Sequence, residues 1–119
     1  MSTAAHKLGR AGEQAAADFL VGQGLEILYR GYRHGRAEVD LVARDGQQLL
    51  LFVEVKARSS NQYGYPETFV SERKKQLFRL AAEQVQLDLD WPGDIRFDIL
   101  AVTPVTGGFR VEQFEDAFY

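Results

Sequence analysis

A mixed α/β fold, one β-sheet with helices packed against it in the order αβββαββ, is what this sequence predicts. Three observations predict it. Two segments, near residues 3–22 and 71–89, repeat their apolar residues at helical spacing. Five short runs rich in branched and aromatic residues lie between and after them. Glycine-centred turn signals separate those runs. With 119 residues the chain reads as one domain, 1–119, large enough for a single core. No internal repeat, linker or low-complexity segment interrupts it.

The first helix is expected over residues 3–22, capped by Ser2 or Thr3 and ended by Gly22 and Gly24. Gly9, Gly12 and Ala16 leave one side of it thin, so its backbone can lie close to a sheet, and Glu13 sits beside that side. Leu25–Arg33, Ala37–Ala43 and Gln48–Ala57 read as strands, the last two joined at Arg44-Asp45-Gly46-Gln47. Ser59–Glu67, with Gly64 and Pro66, reads as a loop. Ser71 caps a second helix to about Leu89, burying Leu77, Leu80, Ala81 and Val85, and Trp91-Pro92-Gly93-Asp94 breaks it. Ile95–Thr103 and Phe109–Phe114 are the last two strands, around Gly107-Gly108.

Strand side chains alternate faces. Leu49, Leu51, Val53 and Val55 put an apolar odd face on the third strand, and Val39, Leu41 and Ala43 do so on the second. A core on the odd faces demands even-with-even pairing. Glu38, Asp40, Glu54 and Lys56 then share one face, with Leu50 and Phe52 covering the rest. A two-residue Asp45-Gly46 turn would instead pair Asp40 with Leu51, and a three-residue loop ending at Gly46 would pair it with Leu50. The expectation is therefore a longer loop or a β-bulge that sets Asp40 opposite Phe52, or further along at Glu54.

The chemistry is concentrated in one spacing: Asp40, thirteen residues, then Glu54-Val55-Lys56. A glutamate and a lysine ending an apolar run are costly to bury unless paired or bound to a metal. Two acidic groups near one point with a cation beside them is what metal-assisted phosphoryl chemistry requires. The spacing resembles the PD-(D/E)XK nuclease signature. Taken with Gly9 to Glu13 on the first helix, Ala37-Glu38-Val39-Asp40-Leu41-Val42 and Phe52-Val53-Glu54-Val55-Lys56-Ala57-Arg58, it resembles the YraN-like family. Those are bacterial proteins with a restriction-endonuclease-like fold, similar in turn to archaeal Holliday-junction resolvases. The likeness runs over nearly the whole chain, to Asp116-Ala117-Phe118. It departs at Val39, where the wider superfamily has proline, and at Ala37, where the family pattern has glycine.

The resemblance implies a magnesium- or manganese-dependent (Mg²⁺ or Mn²⁺) endonuclease acting on DNA, including branched or irregular DNA. Asp40, Glu54 and the Val55 carbonyl would hold the ion, and Glu13 would reach it directly or through water, leaving one metal or two open. Lys56 would orient the attacking water or offset charge on the transition state. Glu38 is open between a hydrogen-bond partner and a surface group. A second function class stays alive beside this one: a nucleic-acid-binding or assembly module on a nuclease fold with little or no cleavage.

Composition sets the surroundings. The absence of cysteine excludes disulfides and thiolate metal sites. The start lacks a signal-peptide layout and no apolar run spans a membrane, so a cytoplasmic protein without membrane partners is expected. The net charge of −3 hides an asymmetry. Residues 1–79 carry twelve Lys or Arg against nine Asp or Glu, and residues 80–119 carry two against eight. Arg30, Arg33, Arg36 and Arg58 flank the acidic motif, while Arg73, Lys74, Lys75 and Arg79 crowd the start of the second helix. Cations are disfavoured at that end by the helix dipole, so these eight are the expected nucleic-acid surface. Oligomeric state stays open between monomer and homodimer.

Overall fold

The sheet sits between its two helices, one on each face. The computed structural model describes residues 4–58 and 70–117, with side chains from Gly9 onward. The expected loop at Ser59–Glu67, the caps Ser2 and Thr3, and Phe118 lie outside the described residues. The elements are α1 (Ala4–Gly22), β1 (Glu26–His34), β2 (Ala37–Asp45), β3 (Leu49–Ala57), α2 (Glu72–Leu89), β4 (Asp94–Val105) and β5 (Gly108–Phe114). The order αβββαββ is the expected one. The five strands lie in sequence order, β3 and β4 parallel and the other neighbours antiparallel. The single parallel pair follows from α2, whose crossover returns the chain to the end of the sheet where β3 began.

Both faces of the sheet are core, which corrects the expectation of one apolar odd face. Leu41, Ala43, Leu51, Val53, Leu100 and Val102 pack with Ala16, Ala17 and Leu20 of α1. Val42, Leu50, Phe52, Phe97 and Ile99 pack with Phe78, Ala81, Ala82 and Val85 of α2. A sheet covered on both faces needs apolar residues at every position, so the unbroken run from Leu49 to Val53 was the stronger signal. Leu80, expected inside, is 52% exposed.

The alternation also breaks on β2. Ala37 and Val39 join the α2 cluster although Leu41 and Ala43 belong to the other. Tyr29 and Tyr32 of β1, three residues apart, likewise both face α2. Between them lies Gly31 with φ +60°, in the stretch facing Asp40. Glycine takes that conformation without strain, and it stands where the side-chain alternation of both strands breaks.

The β2–β3 hairpin pairs Leu41 with Val53, Val42 with Phe52 and Asp45 with Leu49. Its loop is the three residues Gly46, Gln47 and Gln48, closed by Gln48 N–H donating to Asp45 O. The even-with-even register is therefore as expected, but its cause is not. Neither a long loop nor a bulge was needed, because the three-residue loop starts at Gly46 (φ +56°) instead of ending there. The β4–β5 end is tied by Asp98, which is fully buried. It accepts two bonds from the Arg96 guanidinium, one from the Gln113 amide and one from Asp116 N–H. Four donors around one carboxylate make that burial tolerable.

Candidate metal and phosphate site

The ladder between β2 and β3 stops at Leu41–Val53. One more step of the same register sets Asp40 opposite Glu54, at the fork where the two strands part. Asp40 bridges the fork: its Oδ2 accepts a hydrogen bond of 2.7 Å from Val55 N–H. A side chain thus replaces the missing ladder bond and fixes the carboxyl group against β3. Glu54, next on the α2 side of β3, is 4% exposed. Its Oε1 receives Lys74 Nζ at 2.5 Å and stands 3.7 Å from Lys56 Nζ. A buried glutamate with two ammonium groups on it is the arrangement that makes such a charge affordable.

Electrostatics show where the balance fails. Asp40 is pushed up to about 7, first by burial and then by the Glu54 charge, with Glu13 adding to it. The Val55 hydrogen bond and Lys74 oppose the rise but do not cancel it. Glu13 is also raised, by burial and then by Glu38 and Glu54. At Asp40 and Glu13, burial and the neighbouring carboxylates outweigh the cations, which gather on Glu54. The donors are all oxygen, which suits a hard cation such as Mg²⁺ or Mn²⁺. On this electrostatic ground the residues fit a divalent ion, with Asp40 and Glu54 as its holders.

Glu13 does not complete a three-carboxylate set. Among the described residues no three acidic or histidine side chains stand close enough to hold one ion. The reason is layering: α1 covers the face opposite α2, whereas Glu54 lies on the α2 side. Glu13 therefore reaches the others through the field and remains exposed.

A cleft of 290 Å³ opens over the fork, lined by Arg36, Glu38, Asp40, Glu54, Ser71, Arg73, Lys74 and Leu77. Of the expected basic surface, Arg36, Arg73 and Lys74 meet here. Glu38 lines the cleft and carries Arg33 at 3.3 Å, so it is at once a wall and a partner. The others lie elsewhere. Arg30 donates to Gln14 of α1, Lys75 pairs with Glu72, and Arg79 lines a separate hollow with Ile95 and Phe97. Arg58 continues β3, its N–H donating to Val102 O. Lys74 is the residue whose place the sequence hid. It was legible as a cation on the cleft helix, but nothing in its spacing tied it to Glu54.

Comparison with known proteins agrees with the motif reading. The sequence pattern of the uncharacterised protein family UPF0102, the YraN family, matches residues 12–102. The chain belongs to this family. Among its relatives, a UPF0102 protein of Flavobacterium psychrophilum is 40% identical over 112 residues, covering 94% of this chain and 93% of its own. One of Chlorobium phaeobacteroides is 39% identical over 125 residues, covering 99% and 98%. Both matches span the stretch from Gly12 to Val102. Among solved structures, Pyrococcus furiosus SfsA in complex with Ca²⁺ is similar at a TM-score of 0.40 and 16% identity, over 93% of this chain and 63% of that one. Among the described residues no helix is long and apolar enough to cross a membrane.

Proposed function

We propose that this protein is a metal-dependent endonuclease that hydrolyses phosphodiester bonds in DNA. One observation carries the reading: Asp40 and Glu54 meet at the β2–β3 fork, where burial and the Glu54 charge raise the Asp40 carboxyl, at the floor of a cleft walled by Arg36 and Arg73. Asp40 and Glu54, with the Val55 carbonyl, would hold a divalent ion, whose chemistry is to polarise a phosphoryl oxygen and lower the pKa of a bound water. Lys56, 28% exposed in its side chain and beside Glu54, is placed to offset charge on the five-coordinate phosphorus. Arg36 and Arg73 hold flanking phosphates by bidentate hydrogen bonds. Glu13 lowers the potential of the site without touching the ion. Branched DNA is the preferred substrate class only on the family's similarity to junction resolvases.

The test is purified protein with Mg²⁺ or Mn²⁺ on linear, flapped and four-way DNA, beside Glu54→Ala. Cleavage is expected from the wild type and a loss of at least about a hundredfold in the variant. Equal cleavage by both would sink the proposal. The second reading, a binding module with little cleavage, is favoured by one observation, that among the described residues no third carboxylate joins Asp40 and Glu54. It predicts DNA binding that survives Glu54→Ala and no metal-dependent product from either protein.

A further inference from the structure

Lys74 enters the site in an unusual way. Ser71 caps α2, and its Oγ accepts from Lys74 N–H at 3.1 Å, which fixes the backbone of the first turn over the fork. A lysine there is opposed by the positive end of the helix dipole. The opposition is outweighed by Glu54, whose Oε1 takes the ammonium in a short charge-assisted bond. Lys56 stands on the same oxygen, so Glu54 has two cations for one charge. Asp40, the other carboxylate of the fork, accepts from the Val55 amide. The Lys74 side chain is 38% exposed, free on the cleft side to swing along the wall it shares with Arg36 and Arg73.

We infer that Lys74 is the resident counter-ion of Glu54, that a divalent ion and the Lys74 ammonium exclude each other there, and that ion entry turns Lys74 out to a substrate phosphate. The inference rests on the fork being a metal site, as proposed above. Like charges on one carboxylate repel strongly in a partly buried site. An ion taking Glu54 must therefore displace the ammonium or bind against its field. The released lysine lies beside two arginines in a cleft that faces polyanion, so its charge moves from the acid to the substrate. Ion and nucleic acid then favour each other, with a single side chain as the link. Lys74 is in this sense a positioning residue, distinct from Lys56, which stays on β3.

Mn²⁺ binding, read by the paramagnetic resonance of the free ion, tests the first half. Lys74→Met should bind Mn²⁺ at least about fivefold more tightly than the wild type. Lys74→Arg should stay within about twofold, because the cation is retained, and so should Lys75→Met, whose ammonium pairs with Glu72 instead. Without metal, Lys74→Met should melt below the wild type, and Mn²⁺ should raise its melting temperature more. Mn²⁺ bound equally or more weakly by Lys74→Met than by a wild type that does bind it overturns the inference and leaves the nuclease reading standing. No Mn²⁺ bound by either overturns both.

The second half is read with a fluorescein-labelled oligonucleotide in excess sodium chloride. Mn²⁺ should steepen the wild-type log–log salt slope by about 0.9, one more phosphate engaged, and leave that of Lys74→Met unchanged. Equal wild-type slopes with and without Mn²⁺ overturn the release of Lys74.

Discussion

At the scale of single residues, Asp40 decides how this protein responds to pH. Its carboxyl group, ordinarily near 3.8, titrates at about 7 in the folded state. A raised value means that the folded protein binds more protons than the unfolded chain between those two points. Stability is therefore greatest below about pH 4 in this term and is lost as pH rises through 7. Asp40→Asn keeps an oxygen to accept from Val55 N–H and removes the charge. At pH 8 without metal it should melt about 5 °C above the wild type, a gain of ~1 kcal/mol, and the gap should close towards pH 4. Calorimetry across that range checks it, and a gap independent of pH would show that the charge is not the cause. Adding Mn²⁺ should stabilise the wild type at pH 8 and do little for Asp40→Asn.

Elements place those residues, and two contacts show how tightly. Ser71→Ala removes the cap of α2 and should cost ~1 kcal/mol in urea denaturation. Because the same turn carries Arg73 and Lys74 into the cleft, it should also weaken oligonucleotide binding. Stability lost with binding unchanged would detach that turn from the substrate surface. Glycine is needed at two packing contacts for different reasons. A Cβ on Gly12 would meet Val102 Cγ2 at 2.7 Å and Ala57 Cβ at 3.2 Å, side chains and not backbone, while alanine favours the helix by ~1 kcal/mol. A Cβ on Gly93 would meet the Gln47 and Gln48 carbonyl oxygens at 2.5 and 2.6 Å, where Asp94 N–H already bonds Gln48 O. Backbone cannot move aside there. Gly93→Ala should therefore cost ~2 kcal/mol or more, and Gly12→Ala clearly less. The reverse order would mean that α1 is the more rigid neighbour. Gly9, expected to share the thin side with Gly12, has open space around its Cα.

The whole molecule sets the electrostatic surface. Arg36 comes from the turn that enters β2 and Arg73 from α2, and only the folding of the helix onto the sheet brings them to one cleft. Replacing both with alanine should lower the slope of log affinity against log salt by about 1.8. Replacing Arg79, which lines a hollow away from the fork, should leave the slope unchanged. Filter binding over a range of salt separates the two cases. An equal loss from Arg79→Ala would place the nucleic acid along the full length of α2 and not across the cleft.

The sequence by itself determined the element order, the two capped or glycine-ended helices, the even-with-even hairpin and the acidic pair at its end. Each follows from local physics: a 3.6- or 2-residue period, a cap, a turn glycine, and the cost of an unpaired charge after an apolar run. Family membership was legible for the same reason, since Glu13, Asp40 and Glu54-Val55-Lys56 are fixed in order along the chain. Tertiary structure decided the rest. That Leu50 and Phe52 form a second core depends on α2 crossing to the other face, which the unbroken apolar run of β3 permits but does not impose. Val39 leaves the face of Leu41 beside Gly31 of the neighbouring strand, whose φ is +60°. Lys74 meets Glu54, twenty residues away, because the capped start of α2 and the central strand β3 come together in space. Charge acts through distance, and only the packed fold sets distances between residues far apart in sequence.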